Sequence, residues 1–390
     1  MSRSNTHPSV AYEGNYQLME LFAVVNGEIL KDLEENVSPT YTRIHYLLRG
    51  LSEFPHIKVS SISFKQLNRK DPIAVLYNNI VKSVVAIRTA WTVIKYRPLV
   101  YFAYPHSLTT VQNRVVFRLC KMINLKTILD IHDTIEQANA VGTGKSTLNE
   151  AYEGYCFRES TLLLPSIDGA LWRRLQKVYE ITDIKKIVYV PNAFEEEFID
   201  YYPEPYKSQG DRFNVCYIGR ITKNRGVELL VQACVELHGR YPRLRLLLFG
   251  TYGEGMLAET KHIISKSDFI IMREIPRKDI PRSFGDIDLF VMPYNPHDVY
   301  MSSITPTKFF EYIGTGKPIL CTKCESLEDI DSEGCIVYVD FELEDFKTKM
   351  EMLIKNPELR EEMSKKLLML REKHTWTERA NRIYKKLAEK

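Results

Sequence analysis

Short apolar runs alternate with longer segments of helical periodicity along most of the chain. Segments such as 42–51 and 111–123 place apolar residues at helical spacing. Alternation of this kind builds βαβ units, in which helices cover a parallel sheet, so the expected fold class is α/β. The apolar runs are predicted to be strands: 21–25, 57–62, 99–102, 127–131, 162–164, 187–190, 213–218, 244–249, 269–272, 289–292, 319–321 and 335–339.

The length of 390 residues is too great for one compact core and suits two domains. Segment 200–212 (DYYPEPYKSQGDR) is polar, with two prolines and a glycine. Ligands of doubly wound sheets bind beyond the carboxyl ends of the strands, so a cleft between two such domains is the expected site. We expect two Rossmann-like, doubly wound domains facing a central cleft: an N-terminal domain at 19–200, a linker at 201–212 and a C-terminal domain at 213–372.

Charge and cysteine content exclude several classes of protein. The net charge is +3 and no basic run dominates any segment, so nucleic acid is not an expected partner. Cys321 and Cys324 form one C-x-x-C without a second pair or nearby histidines, which argues against a zinc site. Seven scattered cysteines suit a reducing compartment, and the polar tail 1–18 is expected to be disordered rather than a signal peptide. A cytoplasmic protein is predicted.

The most membrane-like stretch is 73–94, and it is predicted to be an amphipathic or buried helix. Polar residues interrupt it too often for a bilayer span. Two interpretations remain open: its cations contact anionic lipid headgroups in a peripheral membrane association, or they form the solvated face of a domain helix. The interrupting polar residues and the flanking cation are Asn78, Asn79, Lys82, Arg88 and Lys95.

One polar cluster, GRITKNRG at 219–226, follows the predicted strand 213–218 and precedes an amphipathic helix. Gly219 permits a sharp backbone turn. Arg220 and Arg225 place two permanent cations at the mouth of the cleft, where a guanidinium binds phosphate oxygens through two hydrogen bonds. The alternative is a pair of solvated surface arginines.

A second cluster, PTKFFEYIGTGKP at 306–318, predicts a helix that ends near Gly314 or Gly316. Thr305 is expected to be its N-cap and Pro306 its first residue. The free N–H groups of a helix start form an anion site suited to a diphosphate, and a carboxylate one turn further in suits ribose hydroxyls. The alternative is a capped helix with a Lys–Glu pair. The donor-binding set predicted here is Thr305, Pro306, Thr307, Lys308 and Glu311, together with Gly219.

The two clusters, in this order, resemble glycosyltransferase family 4, the retaining enzymes of the GT-B fold. That family shows G-R-L-x-x-x-K-G and later P-x-K-x-x-E-Y-x-x-x-G-K-P, where this chain has GRITKNRG and PTKFFEYIGTGKP. Segments 190–193, 249–250 and 374–376 also resemble family motifs. The resemblance implies that 19–200 is the acceptor-side domain, and that a last helix at 373–390 crosses back onto it.

The resemblance also implies roles for individual residues. Arg220 and Arg225 would hold the donor diphosphate and Glu311 the donor ribose. A first-domain histidine near the transferred sugar is best matched by His106, with an ordinary loop histidine as the alternative. Asp133 would face the same cleft or, alternatively, cap a helix N-terminus. The implied reaction moves a hexose or N-acetylhexosamine from a UDP- or GDP-linked donor to a hydroxyl of a glycan, lipid-linked or polysaccharide acceptor. No cofactor or metal is expected, because no D-x-D follows a strand and fixed cations are present.

The chain departs from the family pattern at three places. Ser303 stands where the family has the first glutamate of E-x7-E, so Asp298, Tyr300, Ser302 or Ser303 is expected to contact the sugar. Arg225 replaces the family lysine and keeps its charge. The glycine pair after the first strand is not visible, since Gly27 and 38–40 occupy that stretch.

Other interpretations remain. A GT-B scaffold that binds a nucleotide sugar without transferring it is favoured by the missing glutamate. A sugar epimerase or dehydrogenase requires G-x-G-x-x-G after the first strand, which is absent. Segment 142–146 (GTGKS) resembles the end of a P-loop, but Asn139 stands where that motif requires glycine, so an ATP site is not expected.

Overall fold

The computed structural model describes residues 18–25, 39–62, 72–140, 148–166, 169–208, 211–253 and 255–389. Within them the chain forms two parallel sheets. The tail 1–17, the loop containing Gly27 and Ser38, and the P-loop-like segment 142–146 lie outside the described residues.

The first domain is a five-stranded sheet of order β2-β1-β3-β4-β5, in which every pairing is parallel. Its strands are β1 Met19–Val24, β2 Ile57–Ser61, β3 Leu99–Tyr104, β4 Thr127–Ile131 and β5 Leu162–Pro165. Its helices are α1 Pro39–Ser52, α2 Pro72–Tyr96, α3 Val111–Met122, α4 Ile135–Ala140, α5 Glu150–Glu159 and α6 Gly169–Val178.

The second domain is a six-stranded parallel sheet of order β11-β10-β9-β6-β7-β8. Its strands are β6 Phe213–Ile218, β7 Leu244–Phe249, β8 Ile270–Arg273, β9 Leu289–Met292, β10 Ile319–Thr322 and β11 Val337–Val339. Its helices, including the connecting α7, are α7 Glu197–Tyr201, α8 Val227–His238, α9 Ala258–Lys266, α10 Val299–Ser303, α11 Thr307–Thr315, α12 Glu325–Glu328, α13 Leu343–Lys355, α14 Pro357–Arg371 and α15 Trp376–Ala388. Short 3-10 helices occur at His106–Thr109, Ile184–Lys186, Lys223–Arg225 and Arg277–Asp279.

The strands are almost continuously apolar because helices cover both faces of each sheet. In β3, Phe102 and Tyr104 enter one core while Tyr101 and Ala103 enter the core on the opposite face. Sheets buried on both sides need such runs rather than an alternation of apolar and polar residues. The predicted α/β class, with two parallel sheets covered by helices, is confirmed.

The predicted strand at 187–190 is wrong. Ile187 forms only an isolated bridge with Leu163, and the N–H groups of Val188 and Val190 donate to β5 carbonyls at 2.9 and 3.0 Å. The segment therefore runs along β5 at the edge of the sheet, and these two N–H groups bond to β5 without forming a regular strand. The segment places Asn192 between the domains, where its side chain donates to the Thr305 carbonyl.

The last helix, α15, packs on the first domain. Trp376, Ala380 and Ile383 share a core with residues of α1, and the Trp376 ring stacks on Tyr46 with centroids 6.0 Å apart. Arg379 donates from Nε to the Pro191 carbonyl at 3.0 Å. Helix α15 therefore follows the second domain in the chain but packs on the first.

Candidate active site

A cavity of about 480 Å³ lies between the two domains at the carboxyl ends of their strands. Ten residues predicted from sequence line it: Asp133, Gly219, Arg220, Arg225, Tyr300, Thr305, Pro306, Thr307, Lys308 and Glu311. The first domain adds Thr40, Thr42, Arg43, His132, Ser166 and Asn192. The volume falls in the ordinary range of ligand pockets, about 300–1,000 Å³.

Gly219 allows three elements to meet at one wall of the cavity. Its φ of +119° is a backbone conformation that side chains rarely adopt. A Cβ at this position would overlap the ammonium of Lys308 and would lie 3.1 Å from a guanidinium nitrogen of Arg225. The turn after β6 therefore brings a lysine and an arginine together with Arg220, which is exposed at the rim.

Lys308 is a half-buried amine held by neutral groups. Its Nζ donates to the Ile218 carbonyl and to the Tyr217 hydroxyl at 3.3 Å, and lies 4.5 Å from the centre of the Tyr217 ring. Burial, and then the charge of Arg225, hold the pKa of Lys308 well below its usual value, while Glu311 opposes the shift. An anion placed against this wall would relieve that electrostatic cost.

The start of α11 differs from its prediction. Thr305 is not the N-cap, because its hydroxyl donates to the Ser166 carbonyl of the first domain at 2.5 Å. Pro306 occupies the N-cap position and no side chain caps the helix. The Thr307 hydroxyl is buried without a hydrogen-bond partner among the described residues. An uncapped helix start with an unused hydroxyl thus lines the cavity. The predicted end is confirmed: Thr315 is the last helical residue, and Gly316 follows with φ +64°.

Glu311 is buried and paired with Arg277, a residue that sequence reasoning missed. Arg277 bridges two carboxylates, donating from Nη1 to Glu311 and from Nη2 to Glu195. Burial raises the pKa of Glu195, with Arg277 opposing and Glu311 adding to the shift, and Glu195 Oε2 has no partner among the described residues. A signal was available, since Pro276-Arg277-Lys278-Asp279 begins three positions after Arg273, the last residue of β8.

The first-domain wall is organised by Asp130, the buried carboxylate at the end of β4. It accepts hydrogen bonds from Arg43 at 2.6 Å, Tyr101 at 2.5 Å and His132 Nε2 at 2.7 Å. Burial alone would raise the pKa of Asp130, but Arg43 and His132 hold it below its usual range. An ionised carboxylate only accepts, so the proton of His132 is assigned to Nε2. Nδ1, which has no partner among the described residues, is left as an acceptor.

His106 was the histidine expected at this site, and the structure does not bring it there. The chain enters the 3-10 helix His106–Thr109 after β3, and the His106 ring packs edge-on against Tyr41 with centroids 5.0 Å apart. Ser107 fixes this turn, since its hydroxyl accepts from Ala103 N–H and donates to the Val24 carbonyl. His132, which directly follows β4 in the sequence Asp130-Ile131-His132-Asp133, lines the cavity instead.

The residues expected to replace the missing family glutamate separate. Tyr300 lines the cavity, but Asp298 does not: it is the N-cap of α10 and accepts from Met301 N–H at 2.9 Å. Ser303 is also outside the lining, because its hydroxyl accepts from Gln137 of the first domain at 3.0 Å. Ser302 does not line the cavity either. Asp133 does, and burial raises its pKa, with His132 opposing.

Two parallel sheets whose carboxyl ends face one cleft define the GT-B fold, and solved structures of that fold align over almost the whole chain. Sucrose-phosphate synthase from Thermosynechococcus elongatus aligns at a TM-score of 0.67 and 14% identity, covering 95% of this chain and 99% of that one. Anabaena HepE in complex with UDP aligns at 0.62 and 12%, covering 95% and 100%. A UDP-N-acetylglucosamine 2-epimerase aligns at 0.54 and 12%, covering 90% and 91%. At these identities the similarity establishes the fold alone.

A family match adds to the fold in the second half of the chain. Residues 199–367 match the model of the family glycosyl transferases group 1, a segment that contains both predicted clusters. A search of curated proteins finds no match. The predicted resemblance is confirmed at this level, and the narrower assignment to family 4 stays a prediction.

Proposed function

We propose that the protein is a retaining glycosyltransferase that uses a nucleoside-diphosphate sugar, UDP- or GDP-linked, and transfers its hexose or N-acetylhexosamine to a hydroxyl acceptor. One observation carries the proposal. Arg220, Arg225, Lys308 and the uncapped start of α11 meet at a single cavity that Glu311 also lines. The family match over the same segment and the UDP bound by HepE support this choice of donor.

The donor fits the cavity by its charges. The diphosphate would lie against Arg220, Arg225 and the first turn of α11, with the Thr307 hydroxyl supplying a further hydrogen bond. Glu311 would accept from the ribose hydroxyls, and Arg277 would hold its carboxylate in place. Because Arg277 also binds Glu195, the ribose end of the cavity is fixed by an ion network that needs no ligand to form.

The cations would accelerate the reaction by stabilising charge that develops on the leaving group. As the bond between the anomeric carbon and the diphosphate oxygen breaks, negative charge grows on the diphosphate next to Arg220, Arg225 and Lys308. The acceptor oxygen bonds to the anomeric carbon on the same face, which retains configuration. Its proton leaves to the departing diphosphate. No divalent metal is part of the proposal, since fixed cations already face the leaving group.

The first-domain wall would bind the acceptor and the transferred sugar. His132 replaces His106 in this role, because its ring is oriented by Asp130 while Nδ1 remains available to accept from a hydroxyl. Asp133 and Tyr300 both line the same cavity and would contact sugar hydroxyls. All seven cysteines are buried free thiols, which supports a reducing, cytoplasmic setting.

The alternative is a scaffold that binds a nucleotide sugar without transferring it. Ser303 favours it: where the family places a carboxylate, this chain has a hydroxyl that bonds Gln137 across the domain boundary. A scaffold of this kind would keep the diphosphate wall and lose turnover.

Release of nucleoside diphosphate tests the proposal. The purified protein is incubated with UDP- and GDP-linked hexoses and N-acetylhexosamines, with and without glycan acceptors, and the anomer of the product is read by NMR. We expect release that depends on acceptor and a retained product. His132→Ala should lower kcat by about 100-fold, whereas His106→Ala, outside the cavity, should leave it within about twofold.

Three other outcomes contradict the proposal. Binding that raises the melting temperature without any release supports the scaffold. Release with epimerisation and no transfer supports the epimerase chemistry found on the same fold. A product of inverted configuration removes the retaining mechanism while leaving transfer intact.

A further inference from the structure

Helix α2 buries its small residues and exposes its large apolar ones. Along the helix Pro72–Tyr96 the buried side chains are Ala74, Asn78, Thr89 and Val93. The exposed ones form a continuous row at spacings of three and four residues, which is one face of a helix. This row, called the α2 stripe, consists of Leu76, Ile80, Val84, Ile87, Trp91 and Ile94.

The extent of the α2 stripe is unusual for a surface in water. Ile87 is 70% exposed and Trp91 55% exposed, and the helix of 25 residues is about 37 Å long. Single exposed apolar residues are normal, but a contiguous apolar face of this length marks a surface that contacts something other than water. None of the described helices is both long and apolar enough to cross a membrane.

The neighbouring helix enlarges the same face. Near the start of α3, Gln112 donates from Nε2 to the Ser83 hydroxyl of α2 at 3.4 Å. Just beyond the ends of the two helices, Arg97 donates from Nη2 to the Ile123 carbonyl at 2.6 Å. The two helices therefore run side by side in the same direction. Val115 and Met122 on α3 are 59% and 83% exposed.

The charge on these two helices has one sign. Their sequences contain no aspartate or glutamate. The whole chain, by contrast, is nearly balanced at +3. Six cations accompany the apolar residues: Lys82, Arg88, Lys95, Arg114, Arg118 and Lys121.

We propose that the α2 stripe and the adjoining face of α3 dock on an anionic lipid surface, with the apolar side chains entering the interface and the cations contacting headgroups. Arg88 lies one turn from Val84 and Trp91. Lys95 holds its amine 4.5 Å above the Trp91 ring. Tryptophan beside a cation is suited to the boundary between headgroups and acyl chains. An apolar protein partner would not require the uniform positive charge.

The position of the face relates it to the cleft. The part of α2 before Ser83 extends about 16 Å past the start of α3, in the direction of the carboxyl ends of the strands. A membrane on this face would therefore lie beside the edge of the first domain that faces the cleft. The docking itself does not depend on the proposed reaction.

Vesicle co-sedimentation tests the proposal with the full chain. Vesicles of phosphatidylcholine alone are compared with vesicles containing about 30% phosphatidylglycerol. We expect binding to the anionic vesicles that falls steeply as salt rises from about 0.1 to 1 M, because the Debye length shortens from about 10 to 3 Å.

Matched variants locate the surface. Ile80→Glu with Ile87→Glu should lower partitioning at least tenfold. Val178→Glu with Met369→Glu, which changes two similarly exposed apolar residues elsewhere, should not. Arg88→Glu with Lys95→Glu should lower it by more than about fivefold per site, unlike Lys177→Glu with Lys185→Glu.

Three results would overturn the proposal. One is equal binding to neutral and anionic vesicles. Another is equal loss in the stripe variants and their controls. The third is a wild type that forms a dimer in gel filtration and does not bind vesicles, together with a double variant, Ile80→Glu with Ile87→Glu, that is monomeric. The α2 stripe would then contact a second copy of the chain. Circular dichroism and urea unfolding of each variant show that it remains folded.

Discussion

Arg220 and Arg225 reach the same cavity from different environments, so their substitution should have different consequences. Arg225 lies against the Gly219 turn and beside the Tyr217 hydroxyl. Arg220 is exposed at the rim, where its loss leaves no buried hole. Arg220 is therefore the cleaner probe of the charge that the site supplies.

Replacing Arg220 by alanine should lower kcat about 100-fold, which is the usual effect of removing one donor that stabilises a developing oxyanion. Unfolding in urea should not change. Lys223→Ala, an exposed cation on the same turn that does not line the cavity, serves as the control and should retain activity. Equal activity of wild type and Arg220→Ala would remove this residue from the mechanism.

Lys308 should take up a proton when a nucleoside diphosphate binds. Its pKa is lowered first by burial and then by Arg225, whereas a bound diphosphate favours the charged form, so binding should raise this pKa. Titration calorimetry with UDP or GDP at about pH 8.5, in buffers of different ionisation enthalpy, measures this uptake. Lys308→Met should abolish the buffer dependence and Arg220→Ala should keep it; heats that are independent of buffer in the wild type would refute the placement.

Among individual residues, the sequence predicts those that short motifs mark. It found Arg220, Arg225 and Glu311, since each stands at a fixed distance from a strand or helix end. It missed Arg277, which lies 82 positions from Glu195 and 34 from Glu311, because only the folded chain brings the three together. It chose His106 over His132, since both follow a strand and only the buried Asp130 distinguishes them.

Among the elements, the turn between β6 and the following 3-10 helix has a backbone that requires glycine. Gly219→Ala should destabilise the protein by about 1–3 kcal/mol, because a Cβ is strained at φ +119° and overlaps the Lys308 ammonium. Nucleotide affinity should fall with it. Gly285→Ala, whose Cβ would have nothing within 4 Å, is the control and should stay within about 0.5 kcal/mol. Urea unfolding and calorimetry distinguish the two, and equal stability of both variants would contradict the argument.

Helices and strands followed from periodicity where burial is complete on both faces. β6 and β7 agree with the predicted runs residue for residue. The prediction of a strand at 187–190 was wrong because an apolar run at a sheet edge looks the same in sequence as a paired strand. The N-cap at Thr305 failed because its hydroxyl is used across the domain boundary, a contact that local sequence does not encode.

Across the whole molecule, α15 follows the second domain in the chain and packs against α1 of the first domain. Trp376→Ala should lower the free energy of unfolding by about 3–5 kcal/mol, since the ring is 1% exposed in a core shared with α1. Trp91→Ala, removing the same side chain where it is 55% exposed, should change stability by less than about 0.5 kcal/mol. Urea unfolding measures both, and a small effect at Trp376 would mean that α15 docks weakly.

The arrangement of the domains was accessible from sequence only in outline. Two sheets and a cleft follow from strand–helix alternation and length. The contacts that close the cleft do not, because they join residues far apart in the chain, such as Asn192 with Thr305 at 2.6 Å and Gln137 with Ser303 at 3.0 Å. The exposed face of α2 was also ambiguous, since its apolar residues suit either a core or a surface.

The central claim is that one cavity holds the diphosphate of a nucleotide sugar. A crystal structure of the protein with bound UDP or GDP measures this directly. We expect phosphate oxygens within hydrogen-bonding distance of Arg220, Arg225 and the Thr307 hydroxyl, with the ribose at Glu311. A nucleotide bound elsewhere, for example in the 670 Å³ cavity lined by Tyr206 and Lys317 on the other side of the second domain, would contradict it.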